Sequence, residues 1–256
     1  MYLPGRRCAC GILSRRRGCL PLGRGRLLLR STVDLVVVAV FPRRPDVNTG
    51  LISAVSLLHC SEQAALASHC LALPGYPYVS AITLAPDEDG VPLTVISTLA
   101  EHTRQLQADA HASLLLADAT LPADRTLRIT LLADAMPCER TPARRQRFLR
   151  YQPGAVDYID FDDFSFWRFV PKRARFVAGF GRMGWFDGAE LLRPALPFEA
   201  EAIAGLTGQG WHVLGVDSGG CDLRLLDLRR RITFERPPQD VNEVLAAVAA
   251  GGAAAA

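Results

Sequence analysis

The stretch S-T-L-A-E-H-T-R-Q-L at 97–106 gathers residue types that hold an anion. Thr98 and Glu101 stand at the T-x-x-E spacing of a capping box, which predicts a helix beginning at Leu99. A helix start offers unpaired N–H groups and the positive end of its dipole, and both suit a phosphate. Ser97, Thr98 and Thr103 add hydroxyl donors, and Arg104 adds a fixed positive charge. An ordinary capped helix with a solvated arginine is the plainer reading of the same residues. Ser80 lies two residues from Tyr78 on a predicted strand, hence on the same face, where a ligand or neighbouring backbone could take its hydroxyl. His102 could touch a ligand or simply pack on its helix.

Other candidates carry less chemistry. His59, His69, His111 and His212 show no metal-ligand spacing with one another or with acidic residues, so no metal site is expected. D-Y-I-D-F-D-D-F at 157–164 packs carboxylates among aromatics, and reads as a polar loop entering a strand rather than an acid/base pair. G-F-G-R at 179–182 is a strand end whose glycines permit a bulge or close approach of backbone. There is no G-x-G-x-x-G opening a helix, no phosphate-binding Walker loop and no G-x-S-x-G elbow. No catalytic acid or base stands out, and none is named.

These residues must be positioned by strands. Tyr78–Ala85 and Pro92–Ser97 read as strands joined by the acidic, glycine-ended turn P-D-E-D-G at 86–90, a predicted hairpin. Ala112–Ala117 and Thr126–Ala135 are further apolar or alternating strands. Thr141-Pro142 predicts the cap and first position of a helix carrying Arg144, Arg145, Arg147 and Arg150. Aromatic-rich strands follow at about 164–170 and 174–180. The expected fold class is mainly β (α+β): a six-stranded antiparallel barrel with short helices at 61–195, then a small C-terminal α/β domain at 196–250. In that domain Phe198–Leu206 reads as helix, three short strands follow, and Val241, Val244, Leu245 and Val248 mark an amphipathic helix. Residues 251–256 read as a frayed tail.

Composition bounds the rest. With 256 residues, 49% hydrophobic, the chain can bury a substantial core, and no apolar run is long enough to span a bilayer. Eight arginines precede the first acidic residue, Asp34, and Lys172 is the single lysine. Residues 1–60 therefore read as a poorly ordered basic extension: an organellar transit peptide, translated upstream sequence, a nucleic-acid arm or an ordinary tail. Seven cysteines without a C-x-x-C pair fit free thiols in a reducing compartment. A cytoplasmic protein is expected, or an organellar one if the extension is a transit peptide. Neither a membrane nor a nucleic acid is an expected partner.

The ordered segments P-G-Y-P-Y-V-S (74–80), S-T-L-A-E-H-T-R-Q-L (97–106), A-S-L-L-L-A (112–117), R-I-T-L-L (128–132), R-F-L-R-Y-Q-P (147–153), D-F-S-F-W-R (163–168) and V-A-G-F-G-R (177–182) resemble a known family. They are similar to the pyridoxamine 5′-phosphate oxidase-like split β-barrels, and within them to the HugZ-type branch, which includes haem-binding and haem-degrading proteins. The resemblance implies a six-stranded split barrel that forms a homodimer with FMN at the subunit interface and acts on a small molecule. It implies a phosphate site at Ser80, Ser97, Thr98, His102, Thr103 and Arg104, with Arg182 as a further candidate. If FMN binds, the flavin does the redox work and the protein supplies position and polarity.

The sequence also departs from that pattern. Gln105 stands where the family has Asn, and A-A-L-A-S at 64–68 is a poor version of its first strand. A-G-L-T-G-Q-G at 204–210 replaces a histidine-rich segment, and His212 is the one histidine beyond the G-F-G strand, in a context unlike the family's iron ligand. Three readings follow: a flavin-dependent oxidoreductase, a haem-binding or haem-degrading protein, and a barrel that has lost its cofactor and serves as a binding or regulatory module. Pyridoxamine 5′-phosphate oxidation itself would need a second phosphate site, and the sequence offers none.

Overall fold

The computed structural model describes residues 47–118, 126–179, 182–207, 211–225 and 228–255. A helix, α1 (Val47–Cys60), leads into strands β1 (Gln63–His69), β2 (Pro77–Thr83), β3 (Ala85–Pro86) and β4 (Pro92–Ser97). Then come α2 (Glu101–Ala108), β5 (His111–Ala117), β6 (Leu127–Cys138), α3 (Pro142–Tyr151), β7 (Phe164–Ala178) and β8 (Met183–Asp187). The C-terminal part holds α4 (Glu199–Leu206), β9 (His212–Asp217), β10 (Gly220–Leu225), β11 (Leu228–Thr233) and α5 (Val241–Ala255).

The first eight strands form one antiparallel sheet in the order β2-β1-β5-β6-β7-β4-β3, with β8 also paired to β7. Along β1, β5 and most of β6 buried residues alternate with more exposed ones, as a sheet curled around a core requires, whereas β4 is buried almost throughout. Leu66, Leu114, Leu116, Ile129, Leu131 and Phe169 meet inside. A second cluster, including Phe148, Tyr151, Ile159 and Phe166, seals the barrel under α3. The C-terminal β9–β10–β11 sheet packs its Val216, Cys221 and Leu223 against α4 and α5. The split barrel with a small α/β domain after it is thus the observed architecture. No helix among the described residues is long and apolar enough to cross a membrane.

Several expectations change. The extension placed at 1–60 overlaps α1, whose Ala54, Val55, Leu57 and Leu58 lie in the barrel core, while residues 1–46 fall outside the described residues. The expected frayed tail continues α5 as far as Ala255. The hairpin across 86–90 is confined to Ala85–Pro86 against Pro92–Leu93, because β2 finds a seven-residue ladder with β1, from Gln63↔Thr83 to His69↔Pro77. A-A-L-A-S at 64–68, poor as a motif, is the body of β1. The aromatic strands at 164–170 and 174–180 are one strand, β7. Its pairing with β6 slips between Leu132 and Ala133, and that irregularity lets the ladder pass Pro171, which has no N–H to give. The strand β8 follows the G-F-G-R segment in sequence, where no strand was expected. Thr141 caps α3 as expected, accepting from the Arg144 N–H at 3.1 Å.

Candidate functional site

The predicted capping box does not form. The α2 helix starts at Glu101, its N-cap is Ala100, and no side chain caps it. Instead Ser97 Oγ accepts from the Leu99 N–H at 3.0 Å, and the Thr98 N–H donates to the Asp163 carbonyl at 2.7 Å. These bonds hold 97–100 as a turn and delay the helix, since a local hydroxyl competes with the helical pattern. Thr98 is exposed. Ser97 Oγ also donates to Asp163 Oδ2 at 2.6 Å, and the buried Thr103 donates its hydroxyl to the Ser97 carbonyl at 2.6 Å.

Arg104 is turned outward. It donates to the Leu99 carbonyl at 2.8 Å and lies 3.7 Å from Glu101. Arg182 is exposed and donates back to the Ala178 carbonyl at 3.1 Å. Ser80 and His102 behave differently: Ser80 Oγ and His102 Nε2 are buried with no hydrogen-bond partner. Burial holds the His102 imidazole below its ordinary pKa. Gln105, fully buried, accepts from Ser68 Oγ at 2.6 Å and pins α2 to β1, leaving its Nε2 without a partner.

The arginines of α3 are all engaged. Arg144 bonds the buried Asp87, Arg145 pairs with Asp160, and Arg147 with Glu199 at 2.6 Å. Arg150 donates to the Leu214 carbonyl at 2.8 Å. Each is a structural tie and none is left for a ligand.

The outer face of the sheet was not legible in advance. Cross-strand partners line up in rows. One row runs Val79↔Ala67↔Ser113↔Leu132↔Arg173, and the next Ala81↔Ala65↔Leu115↔Thr130↔Arg175↔Trp185. Val79, Leu115 and Leu132 are exposed there, so the β2-β1-β5-β6 part of this face is apolar and uncovered. Two open grooves lie along it. One, of about 370 Å³, is lined mainly by Ala65, Val79, Ser80, Ala81 and Leu115. The other, of about 430 Å³, is lined by Ala67, His69, Pro77, His111, Leu132 and Lys172 among others.

Histidines also meet carboxylates: His111 meets one two residues away, and His69 and His59 meet ones distant in sequence. His69 and His111, at the same end of β1 and β5, flank Asp109. His111 Nδ1 lies 2.7 Å from Asp109 Oδ1, and His69 Nε2 lies 3.8 Å from Asp109 Oδ2. Bonds from the His111 backbone and ring hold the Asp109 carboxyl below its usual range. His59 lies 2.7 Å from Asp222 and 3.6 Å from Asp217, all buried. Arg231 fills the space between those carboxylates, at 2.6 Å from each, and so occupies the position a cation would need. His212 is exposed at the start of β9.

Over 108 residues the chain is 45% identical to the chloroplastic non-canonical heme oxygenase HOZ of Arabidopsis thaliana. The match takes in 41% of this chain and 33% of that one, so the chain spans a third of the length of the curated relative it matches. A heme-binding protein from Mycobacterium smegmatis is 26% identical, with a TM-score of 0.53, over 84% of this chain and 99% of that one. The chain is thus similar to the pyridoxamine 5′-phosphate oxidase-like split barrels and their HugZ-type, haem-binding branch. A protein of unknown function from Agrobacterium tumefaciens, 22% identical, shares this split-barrel fold with a TM-score of 0.71 over 83% of this chain and 98% of its own. No family profile matches the chain.

Proposed function

We propose that this split barrel binds haem on the exposed face of its β1, β2, β5 and β6 strands, and that a second copy completes the site. The observation that carries the reading is His111 at the rim of the larger groove. Its Nδ1 is held by Asp109 at 2.7 Å, which leaves Nε2 for a metal. A histidine whose other nitrogen rests on a carboxylate is a strong donor of fixed orientation. His69 stands beside it, and the groove floor of Ala67, Pro77 and Leu132 suits a flat apolar macrocycle. The names of the Arabidopsis and Mycobacterium relatives support the same reading. Bound haem would supply a redox iron capable of activating oxygen. The protein would fix its position and keep competing water away. A homodimer fits the uncovered apolar face, since the second copy would remove Val79, Leu115 and Leu132 from water. The arginine-rich, acid-poor first 30 residues and the chloroplastic relative together favour an organellar destination over the cytoplasm.

Flavin is the second reading, favoured by Ser80 Oγ and His102 Nε2, two buried polar atoms that still want a partner. Against it, the Ser97 and Thr103 hydroxyls already donate within the protein, and Arg104 faces solvent.

Absorption spectra of the full chain, titrated separately with haemin and FMN, divide the readings. The haem reading expects a Soret band that survives desalting and that shifts or weakens in His111→Ala. With ascorbate and oxygen, that band should decay as an open-chain tetrapyrrole appears. A bound-flavin envelope with no retained Soret band would overturn it in favour of FMN. Retention of neither cofactor would favour a barrel that works as a binding or regulatory module.

A further inference from the structure

The rows of the outer face change character at β7. Leu132 is followed across the ladder by Arg173, and Thr130 by Arg175. Beyond them Arg175 pairs with Trp185 on β8. The Arg173 guanidinium carbon lies 4.9 Å from the centroid of the Trp185 ring, and that of Arg175 lies 5.5 Å from it. Trp185 is half exposed. Neither arginine has a carboxylate within ion-pair distance among the described residues. Two carboxylates on this face have other work: Asp134 holds Lys172 at 2.7 Å, and Asp187, which faces Arg173 across the ladder, closes a reciprocal capping box with Glu190.

Stacking on an indole uses the flat face of a guanidinium and leaves its N–H edge free. Such a cation is already fixed in direction, so it loses little further freedom on accepting a carboxylate in its fork. Neighbouring strands lie about 4.8 Å apart, so this pair begins one strand beyond the apolar floor ending at Leu132. A ligand lying across the boundary would be flat and apolar over β1–β6 and anionic at the edge that reaches β7.

We propose that Arg173, Arg175 and Trp185 form a carboxylate-binding site that takes the propionate groups of a porphyrin lying on the adjoining apolar face. The proposal rests on the haem reading above and adds the orientation: propionates toward β7–β8, the opposite edge toward β1–β2.

The test is a pair of titrations on the full-length protein, with haemin and with haemin dimethyl ester, whose carboxylates are blocked. Wild type should bind haemin about tenfold or more tightly than the ester, the range expected for hydrogen bonds between charged groups. In Arg173→Ala/Arg175→Ala haemin should weaken to the level of the ester, and the ester itself should barely change. Arg173→Lys/Arg175→Lys should recover only part of the gap, since an ammonium cannot offer the fork. Equal binding of haemin and ester by wild type would overturn the carboxylate site while leaving the haem reading intact. So would a gap that persists in the double-alanine variant. Failure of wild type to bind either porphyrin would instead bring down the haem reading itself. The comparison of two ligands on wild type needs no substituted protein to fold.

Discussion

Tyr151 donates its fully buried hydroxyl to Asp222 Oδ2 at 2.6 Å, across 71 positions of sequence. The bond joins the end of α3 to the second strand of the C-terminal sheet. His59 at the end of α1 approaches the same oxygen at 2.7 Å, and Arg231 donates to Asp222 Oδ1 at 2.6 Å. Arg229 donates to the Tyr151 carbonyl at 2.6 Å. The barrel, its leading helix and the small domain are therefore tied at one buried carboxylate. The backbone makes room for it: a Cβ at Gly215 would come 2.3 Å from the Tyr151 hydroxyl.

Removing the carboxylate charge should cost more than removing the hydroxyl. Tyr151→Phe loses one bond to a charged group, about 1.5–3 kcal/mol. Asp222→Asn breaks a buried ion pair and leaves Arg231 with Asp217 alone, roughly 3–5 kcal/mol. Urea unfolding of both variants measures the order. A Tyr151→Phe protein less stable than Asp222→Asn would contradict it.

Acid should act through the same carboxylate. Burial by itself would raise the Asp222 carboxyl, but Arg231 first, then His59 and Tyr151, hold it well below the usual range. A depressed folded value means that its contribution is present above the unfolded carboxylate pKa, about 3.9, and is lost as pH falls below that value. The stability gap between wild type and Asp222→Asn should hold from pH 7 to about 4 and close at lower pH. Unfolding free energies across that range check this, and a constant gap down to pH 2.5 would contradict it.

Two thiols should be silent in the folded protein. Burial, and then the nearby Asp222 charge, pushes the Cys60 thiol up to about 12, and the same causes raise Cys221. At pH 8 neither should form appreciable thiolate. Iodoacetamide followed by peptide mass mapping should find both unlabelled until denaturant is added. Labelling of Cys60 at the rate of a free thiol under native conditions would show that the joint between α1 and the small domain opens.

The turn at 86–90 should not tolerate a side chain. Gly90 has φ +82°, and an added Cβ would sit 2.5 Å from the Arg193 backbone nitrogen. Gly90→Ala combines left-handed strain with a backbone clash, and should cost more than the ~1 kcal/mol of the strain alone. Its thermal midpoint, compared with that of Gly154→Ala, is the control: a Cβ at Gly154 meets nothing within 4 Å, and its backbone is not left-handed. Equal midpoints would count against the packing described for Gly90.

Local signals were read well wherever the physics is local. Thr141-Pro142 marked the start of α3, and alternation along 127–131 marked β6, because caps and periodicity act over a few residues. The T-x-x-E at 98–101 misled for a tertiary reason. Asp163, 66 residues from Ser97, takes its hydroxyl and turns 97–100 away from a helical start. The predicted anion residues divide likewise. Ser80 and His102 keep a free polar atom, whereas Ser97, Thr103 and Arg104 already hold intramolecular partners.

The amino-acid order alone determined a curled antiparallel barrel followed by a small α/β domain, because hydrophobic alternation and turn residues act along the chain. Only the tertiary structure decided what stands beside what: His69 beside Asp109, Arg173 and Arg175 around Trp185, and His59 on Asp222, 163 positions away. Pairing register and domain packing set those neighbours, and neither leaves a mark on the spacing of residues in the sequence.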